Sequence, residues 1–329
     1  KMPSDINNTD ETYLKLVKHF FRGSLNFSLQ PEEIERMTWV WQEKYLETTF
    51  NCNLIKNYPV NCKFARLFLK KILSFLENKQ EVHDDFYTQL CLVMSDDEQG
   101  GFCYRHYVIG NKLNNIITIK ETKNTVVNGT TGMKTWEAAF VLSDWALCNK
   151  KIFTSKIVLE LGSGVGFTGA TLAKFCEPSL VLLTDCHSDV LRTICDNIKI
   201  NFSHFIEEDT TNVTYFKGKH TNLGVMMLDW NDIEDVPSDI VPDIIIGADI
   251  VYDPIILEPL CSVLTYFYQI NSKLQVFIAS VIRNEDTFSQ FLKCLENNNF
   301  MFEELELTKG LFVDWDYRTK LYLKKTVTR

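Results

Sequence analysis

A glycine-rich stretch between an apolar run and a helical segment is the feature that most limits the folds this sequence can adopt. The residues from Glu160 to Gly169 read ELGSGVGFTG and begin within the strand-like run Ile157–Leu161. Glycines let the backbone approach a ligand closely, and the free N–H groups at the start of the following helix attract polar groups. This strand–loop–helix context predicts a ligand-binding loop in an α/β fold.

The spacing of the glycines favours one class of ligand. A dinucleotide-binding loop of the GxGxxG type places its third glycine three residues after the second, where this chain has Phe167. Here Gly166 follows Gly164 by only two residues, and Glu160 precedes Gly162 by two. The pattern resembles the first motif of the seven-strand S-adenosylmethionine methyltransferases. Their ligand has an amino-acid moiety, whose ammonium suits a nearby carboxylate.

Strand-like and helical segments alternate after residue 156, which predicts a parallel sheet with helical crossovers. The strand-like runs are Ile157–Leu161, Leu180–Thr184, Val225–Leu228, Ile244–Ala248 and Leu274–Val281. The helical stretches are Thr168–Cys176, Asp189–Phe202, Ile256–Ile270 and Asp286–Asn297. Two later extended segments, near Phe302–Leu307 and Thr319–Lys324, are expected to add an antiparallel edge.

The amino-terminal part of the chain has a different pattern. Apolar residues recur at helical spacing in four segments between residues 14 and 94. The acidic, glycine-containing stretch Ser95–Gly101 is the predicted boundary. We therefore expect an α-helical domain over residues 1–98 and an α/β domain over residues 99–329, the second beginning with a β-hairpin.

Charge and composition limit the classes of partner. The net charge is -9, and no Lys/Arg cluster is dense enough for a phosphate-binding face, so nucleic acid is disfavoured and a cationic substrate is permitted. The ten cysteines form neither CxxC nor a zinc-binding Cys/His spacing, so no metal is expected. With no apolar signal segment at the start and no apolar run long enough to span a membrane, a cytoplasmic protein is expected.

Polar and aromatic residues follow the strand-like runs, where ligands bind in open parallel sheets. Asp185 ends the second run, and a carboxylate there can accept both hydroxyls of a ribose. Asp249 and Tyr252 follow the fourth run and are placed to hold an incoming amine beside a methyl donor. The alternative is that Asp249 caps the next helix and Tyr252 packs in the core.

Two tryptophans are further candidates. Trp230, after Asp229, ends the third run and is placed to lie against an adenine, with Asp229 near the edge of the base. Trp136 starts an amphipathic helix after the segment Thr130–Gly132. Packing in the core is the alternative for both rings.

Together these elements resemble the family 16 protein lysine methyltransferases. The elements that carry the resemblance are Gly129–Gly132 with Trp136, Glu160–Gly169, Asp185–His187, Leu228–Trp230 and Asp249–Tyr252. The TTG…TW, TDCH and ADxxY sequences resemble the branch that modifies translation elongation factor 2. The resemblance implies a seven-strand Rossmann-like sheet, the cofactor S-adenosylmethionine with S-adenosylhomocysteine as product, a monomer, and substrate recognition by the helical domain.

The resemblance also implies roles for individual residues. Cofactor contacts are expected from Trp136, Glu160, Gly162, Ser163, Gly164, Gly166, Asp185, Asp229, Trp230 and Ala248. Asp249 and Tyr252 are expected to face the target lysine as catalytic residues. Family likeness alone carries the elongation factor 2 assignment. Another protein substrate such as a chaperone, a catalytically idle cofactor-binding adaptor, and a small-molecule or RNA methyltransferase remain alternatives.

Overall fold

A computed structural model describes most of the chain. The described residues are 11–95, 101–124, 126–127, 129–233, 236–237, 240–308, 310–316 and the backbone of 321–328. Contacts divide the chain into two units, residues 1–124 and 125–329. The boundary predicted between residues 98 and 99 lies outside the described residues.

The first unit is largely helical, as the periodicity predicts. Its elements are α1 Glu11–Phe21, α2 Pro31–Glu35, α3 Trp39–Thr48, α4 Asn53–Asn57, α5 Cys62–Leu76, α6 Asp84–Ser95, β1 Phe102–Val108 and β2 Ile116–Thr122. The side chain of Asn61 caps α5 by accepting from the Phe64 N–H at 2.9 Å. Phe20 on α1 is fully buried and lies 5.3 Å, between ring centroids, from Phe68 on α5. Aromatic packing of this kind stabilises the helical core of the unit.

Strands β1 and β2 form an antiparallel pair whose register runs from Phe102 opposite Thr122 to Val108 opposite Ile116. Val108 is buried in the same apolar cluster as the helices of the first unit. The hairpin that the sequence analysis assigned to the second domain therefore groups with the helices.

The second unit alternates strands and helices. Its strands are β3 Ile157–Leu161, β4 Leu180–Asp185, β5 Ile206–Asp209, β6 Val213–Lys217, β7 Asn222–Met227, β8 Ile244–Ala248, β9 Gln275–Val281, β10 Phe300–Glu304 and β11 Leu321–Thr328. Its helices are α7 Glu137–Cys148, α8 Lys150–Phe153, α9 Phe167–Phe175, α10 Ser188–Asn201, a 3-10 helix Pro254–Ile256, α11 Leu257–Ile270 and α12 Glu285–Asn297.

Nine strands of the described residues form one sheet in the order β10-β11-β9-β8-β3-β4-β7-β6-β5. The five central strands, from β9 to β7, are parallel, and β11 enters antiparallel between β9 and β10. These seven strands confirm the predicted Rossmann-like sheet and its antiparallel edge. The sequence analysis missed β5 and β6, which extend the other edge, because every residue of β5 is exposed and the strand carries no alternating apolar signal.

The strand order creates a crevice beside β3. The chain passes from β3 to β4 on one side, whereas β8 pairs with β3 on the other. Such a reversal leaves a gap at the carboxyl ends of the strands, where ligands bind in open α/β sheets. None of the helices in the described residues combines the length and apolar character needed to traverse a bilayer.

A buried carboxylate attaches the segment before β11 to α7. Asp144 has no exposed surface. Its carboxylate accepts hydrogen bonds from the Thr308 hydroxyl at 2.5 Å and from the N–H groups of Phe312 at 2.7 Å and Val313 at 3.0 Å. Buried backbone donors need such partners, so this one side chain fixes the path of the segment.

Replacing Asp144 with alanine should lower the free energy of unfolding by about 3 kcal/mol, because the buried Val313 N–H and the partly buried donors of Thr308 and Phe312 lose their acceptor at once. Urea unfolding followed by circular dichroism measures the change. Asp286, an exposed residue in the first turn of α12, provides the control, and its replacement with alanine should cost less than about 1 kcal/mol. Equal effects of the two substitutions would contradict the anchoring role of Asp144.

Candidate active site

A cavity of about 400 Å³ opens at the carboxyl ends of β3, β4, β7 and β8, within the range of small-molecule sites. Its walls come from residues 129–136, 160–168, 185–187, 228–231 and 248–259. The structure brings eleven of the twelve predicted site residues to this lining: Trp136, Glu160, Gly162, Ser163, Gly164, Asp185, Asp229, Trp230, Ala248, Asp249 and Tyr252. Their individual roles stay predictions.

The glycine loop needs residues without side chains at two points. Gly162 and Gly164 have φ angles of +60° and +53°, in the left-handed region that favours glycine. A Cβ at Gly162 would lie 2.9 Å from Cγ2 of Ile250, and one at Gly164 would lie 2.9 Å from the carbonyl oxygen of Gly132. The loop therefore packs directly against the end of β8 and against the segment that precedes α7.

Gly166 is the predicted site residue that lies outside the cavity lining. It is the N-cap of α9 with a φ of +82°. A Cβ there would lie 3.1 Å from Cδ2 of Leu183 and 3.4 Å from Cγ2 of Ile194. The structure thus gives Gly166 a packing and turn function beside the loop.

Ser163 attaches the loop to the neighbouring strand. Its N–H donates to the Thr184 carbonyl at 2.8 Å, and its hydroxyl accepts from the Thr184 N–H at 2.9 Å. The Thr184 hydroxyl in turn donates to the Glu160 carbonyl at 2.7 Å. These bonds fix the loop immediately before Asp185 on the same strand.

Glu160 places a buried carboxyl group at the cavity wall. The residue is 2% exposed, and its Oε2 accepts from the Gly169 N–H at 3.1 Å. Burial, with a smaller contribution from the nearby Asp185, raises the pKa of this carboxyl to about 8, although hydrogen bonds from its neighbours lower it. A cationic group in the cavity would stabilise the ionised form, so the site suits a ligand that carries an ammonium.

Asp185 ends β4 with both carboxylate oxygens hydrogen-bonded. Oδ2 accepts from the Gly164 N–H at 3.3 Å, and Oδ1 accepts from the His187 N–H at 3.1 Å. Burial raises the pKa of this carboxyl, while the two backbone bonds oppose the rise. The backbone thus orients the carboxylate at the cavity wall.

Trp230 and Asp229 form the wall after β7. Trp230 is half-buried, and its Cζ2 lies 3.6 Å from the position of a Cβ at Gly162. The same ring packs against the apolar core, and its expected contact with an adenine stays a prediction. The exposed Asp229 accepts from the Asn231 N–H at 2.9 Å.

Asp249 is held in an unusual conformation at the end of β8. Its φ is +61°, its N–H donates to the Ala279 carbonyl at 2.8 Å, and Oδ1 accepts from the Val281 N–H at 3.1 Å. The alternative that Asp249 caps the next helix is wrong, because Asp253 provides that cap by accepting from the Ile255 N–H at 3.0 Å.

Tyr252 lies at the cavity rim with 56% of its surface exposed. Partial desolvation raises the pKa of its phenol, and the carboxylates of Asp185 and Asp253 raise it further. The hydroxyl therefore stays protonated at neutral pH and is able to donate a hydrogen bond.

Sequence reasoning missed Arg283, which follows β9. Its guanidinium donates to both carboxylate oxygens of Asp249, from Nη1 at 3.0 Å and from Nη2 at 2.6 Å. The guanidinium carbon also lies 5.0 Å from the ring centroid of Trp136. No motif in a single sequence marks this arginine. The available signal was its position after β9, the strand that pairs with β8, since Asp249 follows β8.

The sequence of this chain is similar to those of known proteins. A family profile described as "Lysine methyltransferase" matches residues 112–298, more than half of the chain. A protein-lysine N-methyltransferase EEF2KMT from Mus musculus is 32% identical over 286 residues, which covers 86% of this chain and 83% of the relative. This chain belongs to the lysine methyltransferase family. The predicted family and the enzyme class, protein-lysine N-methyltransferase, are thereby confirmed.

A second relative and a solved structure are also similar to this chain. The EEF2KMT of Homo sapiens is 33% identical over 245 residues, covering 71% of this chain and 70% of the relative. Among solved structures, Trm1 from Pyrococcus horikoshii in complex with S-adenosyl-L-methionine matches with a TM-score of 0.46 and 11% identity. That match covers 68% of this chain and 61% of Trm1.

Replacing Gly162 with alanine should weaken S-adenosylmethionine binding about tenfold or more, because a Cβ forces Ile250 or the loop to move and strains the left-handed backbone. Isothermal titration calorimetry measures the affinity. Gly101 has nothing within 4 Å of an added Cβ, so the same substitution there is a matched control and should leave affinity unchanged. Unchanged affinity in the Gly162 variant would show that the loop does not hold the cofactor.

Glu160 should make stability depend on pH. Its pKa rises from the usual 4.5 to about 8 on folding, so the folded chain binds more protons than the unfolded chain between these values. The free energy of unfolding contributed by this group is therefore full below pH 4.5 and falls as the pH rises towards 8. Urea unfolding at a series of pH values should show this decline in the difference between wild type and Glu160→Gln, because the buried His19 and His106, whose pKa values are lowered to about 4, act in the opposite direction on both curves. The exposed Glu296→Gln variant should keep the wild-type pH dependence.

Proposed function

We propose that this protein transfers a methyl group from S-adenosylmethionine to the ε-amine of a lysine in translation elongation factor 2. The buried carboxyl of Glu160 beside the glycine loop carries the cofactor part of the proposal, because it offers a partner for the ammonium of an amino acid. Relatives named EEF2KMT, similar over most of the chain, support the choice of substrate.

The cavity fits this cofactor at several points. Gly162 and Gly164 keep the loop backbone close to Ile250 and Gly132 at the cavity wall, where an added Cβ would collide, and Glu160 would hold the ammonium. Asp185 would accept the ribose hydroxyls, with Trp230 and Asp229 at the adenine and with Trp136 and the backbone of Ala248 completing the wall. When bound, S-adenosylmethionine supplies a methyl group on a positively charged sulfonium.

The protein must also deliver the target lysine as a neutral amine, since an ammonium has no free electron pair. At pH ~7.4 deprotonation of a lysine with a pKa near 10.4 costs about 4 kcal/mol. A partly desolvated cavity disfavours the ammonium and reduces this cost. Tyr252 at the rim and Asp249 behind it would position the amine, and positioning supplies much of the rate acceleration in such transfers.

The charge of the cavity supports a cationic acceptor. Carboxyl groups of Asp185, Asp229 and Asp253 line it, besides those of Glu160, whose pKa is raised to about 8, and of Asp249, which pairs with Arg283. Lys134 and His187 are the basic side chains in the same lining. A phosphate backbone would meet repulsion here, so a lysine side chain of a protein fits better than RNA.

Methyl transfer to purified proteins tests the proposal. The full chain is incubated with tritiated S-adenosylmethionine and elongation factor 2 prepared from cells that lack this gene. We expect label on a lysine of elongation factor 2, located by mass spectrometry, and none on an Hsp70 chaperone treated in parallel. Label on the chaperone alone would overturn the substrate assignment. Absence of label on any protein of a nuclease-treated extract would favour the idle adaptor.

Asp249→Ala should lower the rate of methyl transfer about a hundredfold, because even a small displacement of the reacting groups slows such a transfer by that much. S-adenosylmethionine should still bind to this variant. The substitution removes the bonds to Arg283 and to the Val281 N–H, and alanine tolerates a φ of +61° poorly. Steady-state kinetics and calorimetry separate the two effects. Asp189→Ala, which removes a carboxylate from a surface ion pair with Arg192, should behave as wild type. Full turnover by the Asp249 variant would exclude this residue from the site.

A further inference from the structure

Arg283 joins three elements at the acceptor side of the cavity. It follows β9, binds the carboxylate of Asp249 at the end of β8, and lies against Trp136 at the N-cap of α7. Both Asp249 and Trp136 line the cavity. The Trp136 ring is fixed from its other end by a hydrogen bond of 3.1 Å from its Nε1 to the Thr131 carbonyl.

The ion pair differs from an ordinary surface pair. The two terminal nitrogens of the guanidinium, Nη1 and Nη2, both bond to Asp249. The aspartate side chain is only 4% exposed, although that of Arg283 is 45% exposed. Bidentate bonds of this kind are among the stronger and more directional ones in proteins. The cavity-lining carboxylate of Asp249 therefore has its charge largely neutralised by a partner within the same chain.

Neutralisation matters for the chemistry because a free carboxylate beside the target amine would stabilise the ammonium. The other carboxyl and basic side chains that line the cavity with Asp249 are Glu160, Asp185, His187, Asp229, Asp253 and Lys134. Arg283 is the cation that the structure places directly on Asp249.

We propose that Arg283 is a positioning residue that sets the charge at the acceptor end of the cavity. By binding Asp249 it withholds a full counter-ion from the target lysine, which keeps more of that lysine in the reactive neutral form. By lying over the Trp136 ring it also supports the adjoining wall. This inference rests on the proposed lysine methyl transfer.

Replacing Arg283 with glutamine removes the charge and frees the Asp249 carboxylate. The pKa of the target amine should then rise by about one unit, the lower end of the usual effect of a nearby opposite charge because the site is partly exposed. At saturating elongation factor 2, kcat at pH 7 should fall about tenfold and recover at alkaline pH, so that the midpoint of the pH profile moves upward by about one unit.

Two companion variants isolate the charge. Arg283→Lys keeps a cation and should keep the wild-type midpoint, although it loses the bidentate bonds to Asp249. In the double variant Asp249→Asn with Arg283→Gln, no carboxylate remains to be freed, so the midpoint should return to the wild-type value. Arg192→Gln, which removes an exposed arginine from a surface pair, is the matched control and should change nothing.

Calorimetry gives a second readout that is independent of turnover. A freed carboxylate attracts the positively charged S-adenosylmethionine more than the uncharged thioether of S-adenosylhomocysteine. The ratio of their affinities should therefore rise severalfold in Arg283→Gln.

The outcomes separate the two proposals. If the wild-type chain methylates no protein, the proposed function fails. If wild type is active but Arg283→Gln loses kcat equally at every pH, or leaves both the midpoint and the affinity ratio unchanged, the role of Arg283 is merely structural and this inference is overturned.

Discussion

The close approach of three backbone segments around the glycine loop is the constraint on which the active site depends. At Gly164 the loop meets the backbone of Gly132, and at Gly162 it meets Ile250 after β8. Side chains at either glycine would separate these segments. Because the cavity is the space that they enclose, its shape follows directly from two positions that lack a Cβ.

The hydrogen bonds around Ser163 and Thr184 explain why this approach is stable. The loop has no regular secondary structure of its own, so its polar groups must find partners elsewhere. The backbone and hydroxyl of Ser163 supply two of these bonds, and Glu160 accepts a third from Gly169. The same bonds that order the loop also set the environment of the carboxyl groups, so the packing of the loop and the electrostatics of the site depend on each other.

Local sequence patterns predicted much of the fold and most of the cavity lining. The central strands β3, β4, β7, β8 and β9 are largely apolar runs. Asp185 ends β4, and Asp229 and Asp249 follow β7 and β8, so the parallel sheet alone brings those residues together. The bond between Arg283 and Asp249 was beyond this reasoning, because it joins the ends of two strands through a long side chain whose direction no periodicity encodes. The strand β5 was missed because it has no buried face.

The position of β11 has a consequence for how the protein is made. This strand pairs with both β9 and β10 and is the last described strand in chain order, while Asp144 bonds to residues 164 to 169 positions further along the chain. During translation β9 therefore remains an unpaired edge until residues 321–328 have left the ribosome. An open edge of this kind recruits other strands, so the nascent chain is exposed to aggregation until β11 pairs with β9.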